Sequence, residues 1–282
     1  MKLKKFILIF LGIILTINIF SCNKFNTNFP YMKIHFINVG QGDAILIQVN
    51  NKNLLIDSGP SESKDMILNY LDSQNIKKLD FVVATHPHED HIGNMSSIIN
   101  SYPIDYFCAP KVTSDAKYFE RMIYSLKKKN LKINVLNINE KCPIDLGKNT
   151  EVKVLSPTNR KYDNINNYSC VLKIKFLNNT FLFMGDAEKE AEDEILSNFN
   201  DIHADVIKIG HHGSETSTSN EFLQRVSPKI SIISCGYNNN FGHPHKKTLD
   251  KLKNITKIYR TDMDDNIVLI SNGHKILKLK AP

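Results

Sequence analysis

Short apolar runs closed by Gly, Asn or Asp recur along the chain from residue 33 onward. Runs of this length, rich in Val, Ile, Leu and Phe, read as strands. They fall at 33–38, 44–49, 53–56, 81–84, 133–136, 151–155, 170–176, 180–183, 205–209 and 229–234. Asn50-Asn51-Lys52 predicts a tight hairpin between the second and third, and Asn178-Asn179 predicts another. A longer period interrupts them. Met66, Ile67, Tyr70 and Leu71 predict a helix over 65–74, and Phe119, Met122, Ile123 and Leu126 one over 116–129. Lys127-Lys128-Lys129 suits the negative C-terminal end of that helix better than a nucleic-acid patch. Ile92, Met95, Ile98 and Ile99 predict a helix opening near Asp90 or His91, and Ile195 and Leu196 mark one after Asp186. Strands alternating with helices, without repeats or low complexity, predict one α/β domain over 32–282.

The first 31 residues follow a different pattern. Three lysines among the first five residues precede the apolar run 6–20 and Ser21-Cys22. This is the layout of a secretory signal, and the run is short for a bilayer-spanning helix. Ile19-Phe20-Ser21-Cys22 resembles a bacterial lipobox, which implies a lipidated Cys22, although Phe20 and Asn18 depart from the usual residues. The expectation is a lipoprotein-type signal over 1–22 and a polar tether over 23–31. The chain would then be exported to the outer face of the membrane and held there by lipid, or by an uncleaved signal anchor.

Composition adds little: 41% hydrophobic and 23% charged residues describe an ordinary folded protein. The net charge of +7 falls to +4 without residues 1–22, a mild excess that permits a polyanionic partner without requiring one. Cys108, Cys142, Cys170 and Cys235 form no Cys-x-x-Cys pair, so they read as free thiols rather than a zinc knuckle.

The chemistry concentrates directly after the apolar run 81–84. Thr85-His86-Pro87-His88-Glu89-Asp90-His91 places three imidazoles and two carboxylates within seven residues, on a strand-to-helix loop. Imidazole and carboxylate suit zinc and other first-row divalent ions. His86 and His88 can face one ion while Asp90 and His91 reach a neighbouring one.

His-x-His-x-Asp-His after a strand resembles the metallo-β-lactamase-fold hydrolases. The stretch from Phe36 through Gly40-Gln41-Gly42-Asp43-Ala44, Ile56-Asp57-Ser58-Gly59-Pro60, Met184-Gly185-Asp186, His211-His212-Gly213-Ser214 and Gly242-His243-Pro244 occur in order. That order resembles the extracytoplasmic hydrolase domain of ComEC-type competence proteins. The resemblance implies a four-layer αββα sandwich with one or two divalent ions, Zn or Mn. It further implies that Asp186 bridges them and that His211 is the late histidine ligand, leaving His212 to orient a substrate oxygen or the ligands. His243 is a candidate proton donor or phosphate contact. Ser214, Thr216, Ser217 and Thr218 either bond a phosphate or form a turn and helix cap.

One departure stands out: the interval 93–185 contains no histidine, where many members of this fold place a ligand. Ser169, water or substrate would complete the first site. The implied activity is metal-assisted hydrolysis of a phosphodiester, foremost DNA, with Asp90 positioning ion and nucleophile. The alternatives are another extracellular ester (a cell-wall phosphodiester, lactone or β-lactam) and a catalytically silent DNA- or metal-binding surface protein.

Overall fold

A computed structural model describes residues 30–279 of the chain; the expected signal, Cys22 and nearly all of the tether lie outside them. In chain order the first strands are β1 (Met32–Phe36), β2 (Ile45–Val49), β3 (Lys52–Ile56), β4 (Leu79–Val83), β5 (Ile104–Ala109), β6 (Ile133–Val135) and β7 (Thr150–Ser156). They are followed by β8 (Val171–Phe176), β9 (Asn179–Phe183), β10 (Val206–Lys208), β11 (Ile230–Ile233), β12 (Lys257–Arg260), β13 (Ile267–Ser271) and β14 (Ile276–Leu279). One sheet runs β14-β13-β1-β2-β3-β4-β5-β6 and the other β12-β11-β10-β9-β8-β7.

Period-two alternation builds the layers. Phe181 and Phe183 point into the core between the sheets, while Leu182 and Met184 point to the outer face. In β3, Leu54 and Ile56 face the same inter-sheet core and Leu55 faces outward. Helices α1 (Lys64–Ser73), α2 (Glu89–Ile92), α3 (Met95–Ser101) and α4 (Lys117–Lys128) cover the first sheet through Ile67, Leu71, Ile92, Ile98, Met122 and Leu126. Helices α5 (Lys189–Asn198), α6 (Asn220–Val226) and α7 (Lys246–Leu252) cover the second through Ile195, Phe222 and Leu252. The result is the αββα sandwich. Among the described residues no helix is long and apolar enough to cross a membrane. Cys108, Cys170 and Cys235 are buried free thiols, and Cys142 is a partly buried one.

The first hairpin turns on Asn50 and Asn51, both with positive φ, as the sequence predicts. The second turns one residue earlier than expected, on Leu177 and Asn178, because Phe176 pairs with Asn179. Asn179 is held in the ladder, and its side chain accepts a hydrogen bond from Ser271 Oγ across the sandwich at 2.8 Å. Strand β5 escapes the periodicity because Asp105 and Tyr106 interrupt it with exposed positions.

His35 in β1 is buried, with Nδ1 2.8 Å from Tyr70 Oη and Nε2 3.1 Å from Gln48 Oε1. Burial, with help from Lys33, pushes its pKa down to about 4. The unfolded chain, with a histidine near 6.5, therefore binds more protons between pH 6.5 and 4. Stability is full above pH 6.5 and falls by about 3 kcal/mol as pH drops to 4, since each pKa unit is worth about 1.4 kcal/mol. His35→Phe is expected to remove that part of the acid slope. Urea unfolding of both proteins at pH 7.5 and 4.5 measures it; equal pH dependence would refute the assignment.

Candidate metal centre

The parallel strands β3 and β4, and β9, β10 and β11, release their following loops at one edge of the sandwich. Asp57 follows β3, the histidine loop follows β4, Gly185-Asp186 follows β9 and His211-His212 follows β10. Gly185 lets the two sheets' loops meet: its φ is +52°, and a Cβ there would lie 3.1 Å from Ser169 and 3.2 Å from Thr85. Asp186 is thereby seated against the histidine loop.

Two of the donor groups that result among the described residues share Asp186. Asp90, His91, Asp186 and His212 form one; His86, His88 and Asp186 form the other. His91 Nε2 and His212 Nε2 lie 3.2 and 3.4 Å from Asp186 Oδ1. His86 Nε2 lies 3.8 Å from Asp186 Oδ2 and 3.0 Å from His88 Nδ1. Asp90 Oδ2 completes the first group, 3.1 Å from His212 Nε2. Each oxygen of Asp186 thus faces a different group.

The donors fit a cation. His91 Nε2 and Asp186 Oδ1 are buried and have no hydrogen-bond partner among the described residues, although they are close together. Leaving a buried polar atom so costs roughly 1–3 kcal/mol, which coordination would offset. Charge makes the same demand. Burial pulls His91 down, yet the carboxylates of Asp186, Asp57 and Asp90 outweigh it and hold the imidazolium well above its usual range. Burial would raise Asp186, but His212 and His91 keep its carboxyl well below the ordinary range. A divalent ion with imidazole and carboxylate ligands supplies the positive charge these groups require.

The structure brings His212, rather than His211, into the four-residue group. Both residues sit in left-handed backbone, with φ of +46° and +52°. His211 N donates to Gly185 O at 3.1 Å, and the kink turns His212 inward, where Nδ1 is held 2.9 Å from Ser234 O. His211 stays on the rim, with Nδ1 3.1 Å from Glu188 Oε1 and Nε2 3.9 Å from Asp186 Oδ2. His243 approaches from the loop after β11, with ring centroids 5.2 Å from His211 and 6.2 Å from His212.

Ser169 lies behind the donors. Its Oγ accepts from Asp186 N at 3.0 Å and sits 3.4 Å from His86 Nδ1. Ser214 is buried, with Oγ 3.0 Å from Thr216 Oγ1 and accepting from Thr216 N at 3.3 Å. Ser217 Oγ donates to Gly210 O, and Ser219 caps α6. That stretch forms a turn and a cap.

The profile of the metallo-beta-lactamase superfamily matches residues 37–237. The chain belongs to this superfamily. It is accordingly a metal-dependent hydrolase of that superfamily, whose fold implies divalent metal ions. ComE operon protein 3 of Bacillus subtilis is 30% identical over 83% of the chain and 32% of its own length. Recombination protein 2 of Haemophilus influenzae is 31% identical over 79% of the chain and 26% of its own length. The chain thus spans about a third or less of the length of these curated relatives. The metallo-beta-lactamase fold protein YhfI of Bacillus subtilis superposes with a TM-score of 0.57 at 14% identity, covering 86% of this chain and all of that one.

Behind the donors of this superfamily member stand residues to which the sequence alone assigned no task. Asp57 Oδ2 lies 2.8 Å from His91 Nδ1 and accepts from Thr85 Oγ1 at 2.7 Å; its Oδ1 accepts from Thr85 N at 2.8 Å. This fixes the His91 ring so that Nε2 faces the group. Asp43 lies 3.6 Å from His212 Nδ1 and pairs with the fully buried Lys208 Nζ at 2.7 Å. Asp57 carried a readable signal, an acid directly after a strand like Asp186, and Asp43 a weaker one, an acid beside Gly42 just before β2. Lys208, inside a strand, carried none. Asp57→Asn is expected to weaken zinc affinity by roughly 10–100-fold, the usual effect of losing a partner behind a ligating histidine. Competitive titration against a chromophoric chelator measures it, and unchanged affinity would show that Thr85 alone suffices.

Proposed function

We propose that this chain is an exported phosphodiesterase that cleaves DNA. The observation that supports this reading most is the combination of the shared-aspartate donor set with 30–31% identity to ComE operon protein 3 and Recombination protein 2 over about four fifths of the chain. In this reading His86, His88 and Asp186 would hold one ion, and Asp90, His91, Asp186 and His212 would hold another. Bound divalent ions, Zn or Mn, supply Lewis-acid charge for a phosphoryl oxygen and lower the pKa of water towards about 7.

The remaining work falls to the chain's own side chains. Asp57 and the Ser234 carbonyl fix the rings of His91 and His212 from behind. Asp90, at the rim of its group, orients the attacking water. His243, whose Nδ1 has no hydrogen-bond partner among the described residues, hydrogen-bonds a phosphoryl or leaving oxygen. Residues 1–22 direct export, and Cys22 carries the lipid that holds the domain at the outer face of the membrane.

The test uses the chain from residue 23, stripped of metal and reloaded with Mn²⁺ or Zn²⁺. Single- and double-stranded DNA and bis-p-nitrophenyl phosphate are offered as substrates, with Asp90→Ala as control. Metal-dependent cutting of DNA that is absent in the variant is the expected outcome. Turnover of the small diester alone moves the substrate to another phosphodiester, and opening of nitrocefin with DNA left intact would overturn the reading. Palmitate labelling of the wild type, lost in Cys22→Ala, tests the anchor.

A further inference from the structure

The loop joining β11 to α7 carries two of the most exposed aromatic residues among the described residues, Tyr237 at 84% and Phe241 at 64%. A lone exposed aromatic needs no explanation. Phe241, however, sits on a fixed loop beside the metal centre. Asn239 Oδ1 accepts from Phe241 N and His243 N at 3.1 and 3.0 Å, and its Nδ2 donates to the carbonyls of Gly236 and His243. Gln41 Oε1 accepts from Gly236 N at 3.1 Å and ties the loop to the first sheet.

The loop holds the Phe241 ring 5.7 Å from that of His243, with 22° between their planes. His243 lies in turn 6.2 Å from His212 at 26°. Three rings, each stacked on the next, therefore step outward from the donor group to solvent, and the outermost shows an apolar face. His243 is itself nine-tenths buried with Nδ1 unpartnered among the described residues, so a polar ligand group is wanted at the inner end of the row.

One end of this row suits an anionic oxygen and the other a flat apolar ring. A nucleotide joins those two chemistries within one residue. We propose that Phe241 is a stacking platform for an unpaired nucleobase adjoining the phosphodiester at the metal centre. This deepens the phosphodiesterase reading and rests on it. A base inside a duplex has both faces covered by its neighbours, so the platform favours a single strand or a frayed end. Preorganisation by Asn239 spares the entropy of fixing the ring on binding.

The chain contains no tryptophan, so Phe241→Trp places a single indole reporter at the platform. The full chain in mild detergent is titrated with a short oligothymidylate, an abasic deoxyribose-phosphate strand of equal length, and inorganic phosphate. Titrations are run with Zn²⁺ and after chelation. Quenching by the base-bearing strand alone is the expected result; an equal response to the abasic strand, or no response to either, overturns the proposal. In the second arm, anisotropy follows a labelled single strand. Phe241→Ala is expected to weaken binding about 5- to 150-fold, the usual range for one lost stacking ring, with recovery in Phe241→Tyr and no change for the abasic strand.

Loss of a dimer in Phe241→Ala, seen by light scattering, would assign the ring to self-association and also overturn the proposal. If strands are cut yet Phe241→Ala binds them as the wild type does, the stacking inference fails alone. If neither strand binds nor is cut, the DNA-cleaving reading fails with it.

Discussion

Asp186→Ala is expected to lose metal binding at both donor groups while keeping its fold. The carboxylate serves both groups, one oxygen to each, so its loss should cost more than the roughly 100-fold in affinity that removing a partner behind a ligand costs. Hydrolysis should fall at least as far. The fold should survive because Asp186 Oδ1 bonds nothing among the described residues, and Ser169 holds the backbone amide rather than the side chain. Thermal melting separates the two effects. Zinc at about a hundred times its Kd should stabilise the wild type by about 2.7 kcal/mol, roughly 5–10 °C for a domain of this size. The variant should melt near the metal-free wild type and show no zinc-dependent rise. A retained rise would mean that Asp90, His91 and His212 hold an ion without the bridge.

Lys208→Met carries the largest expected loss of stability. Lys208 is fully buried and sits 2.7 Å from Asp43, itself buried and fixed to the opposite sheet's loop. Removing the ammonium leaves a buried carboxylate without a counter-charge, a change that costs about 3–5 kcal/mol. Melting should drop by roughly 6–20 °C. Replacing both partners, Asp43→Leu with Lys208→Met, should recover most of that, because no charge then remains buried. Zinc affinity should stay weakened in the double variant, since Asp43 also faces His212 Nδ1. Urea unfolding and zinc titration of the three proteins measure the two effects separately. A single variant as stable as the wild type would show that water reaches Asp43.

The sequence by itself determined the pieces whose physics is local. Period-two runs placed most strands to within a residue or two. The run from Thr85 to His91 announced a metal loop because ligand chemistry and a strand-to-helix break coincide within seven residues. Asp186 was legible through the family resemblance, as the acid after glycine at a strand end. The order of motifs then indicated the αββα sandwich, which two sheets flanked by helices now display.

Tertiary structure decided what depends on contacts between distant segments. Whether His211 or His212 joins the donors turns on left-handed backbone at both residues, held by the carbonyls of Gly185 and Ser234 from neighbouring strands. No pattern within Gly210-His211-His212-Gly213 carries that choice. Ser169 reads in sequence as a residue that could complete the first site; the tertiary structure places its Oγ against the Asp186 amide and near His86 Nδ1, beside Gly185. Lys208 carries no signal in the sequence; only the closing of one sheet on the other supplies the Asp43 carboxylate that makes its burial tolerable. Sequence periodicity fixes which side of a strand a residue faces, but the partner waiting there belongs to another part of the chain.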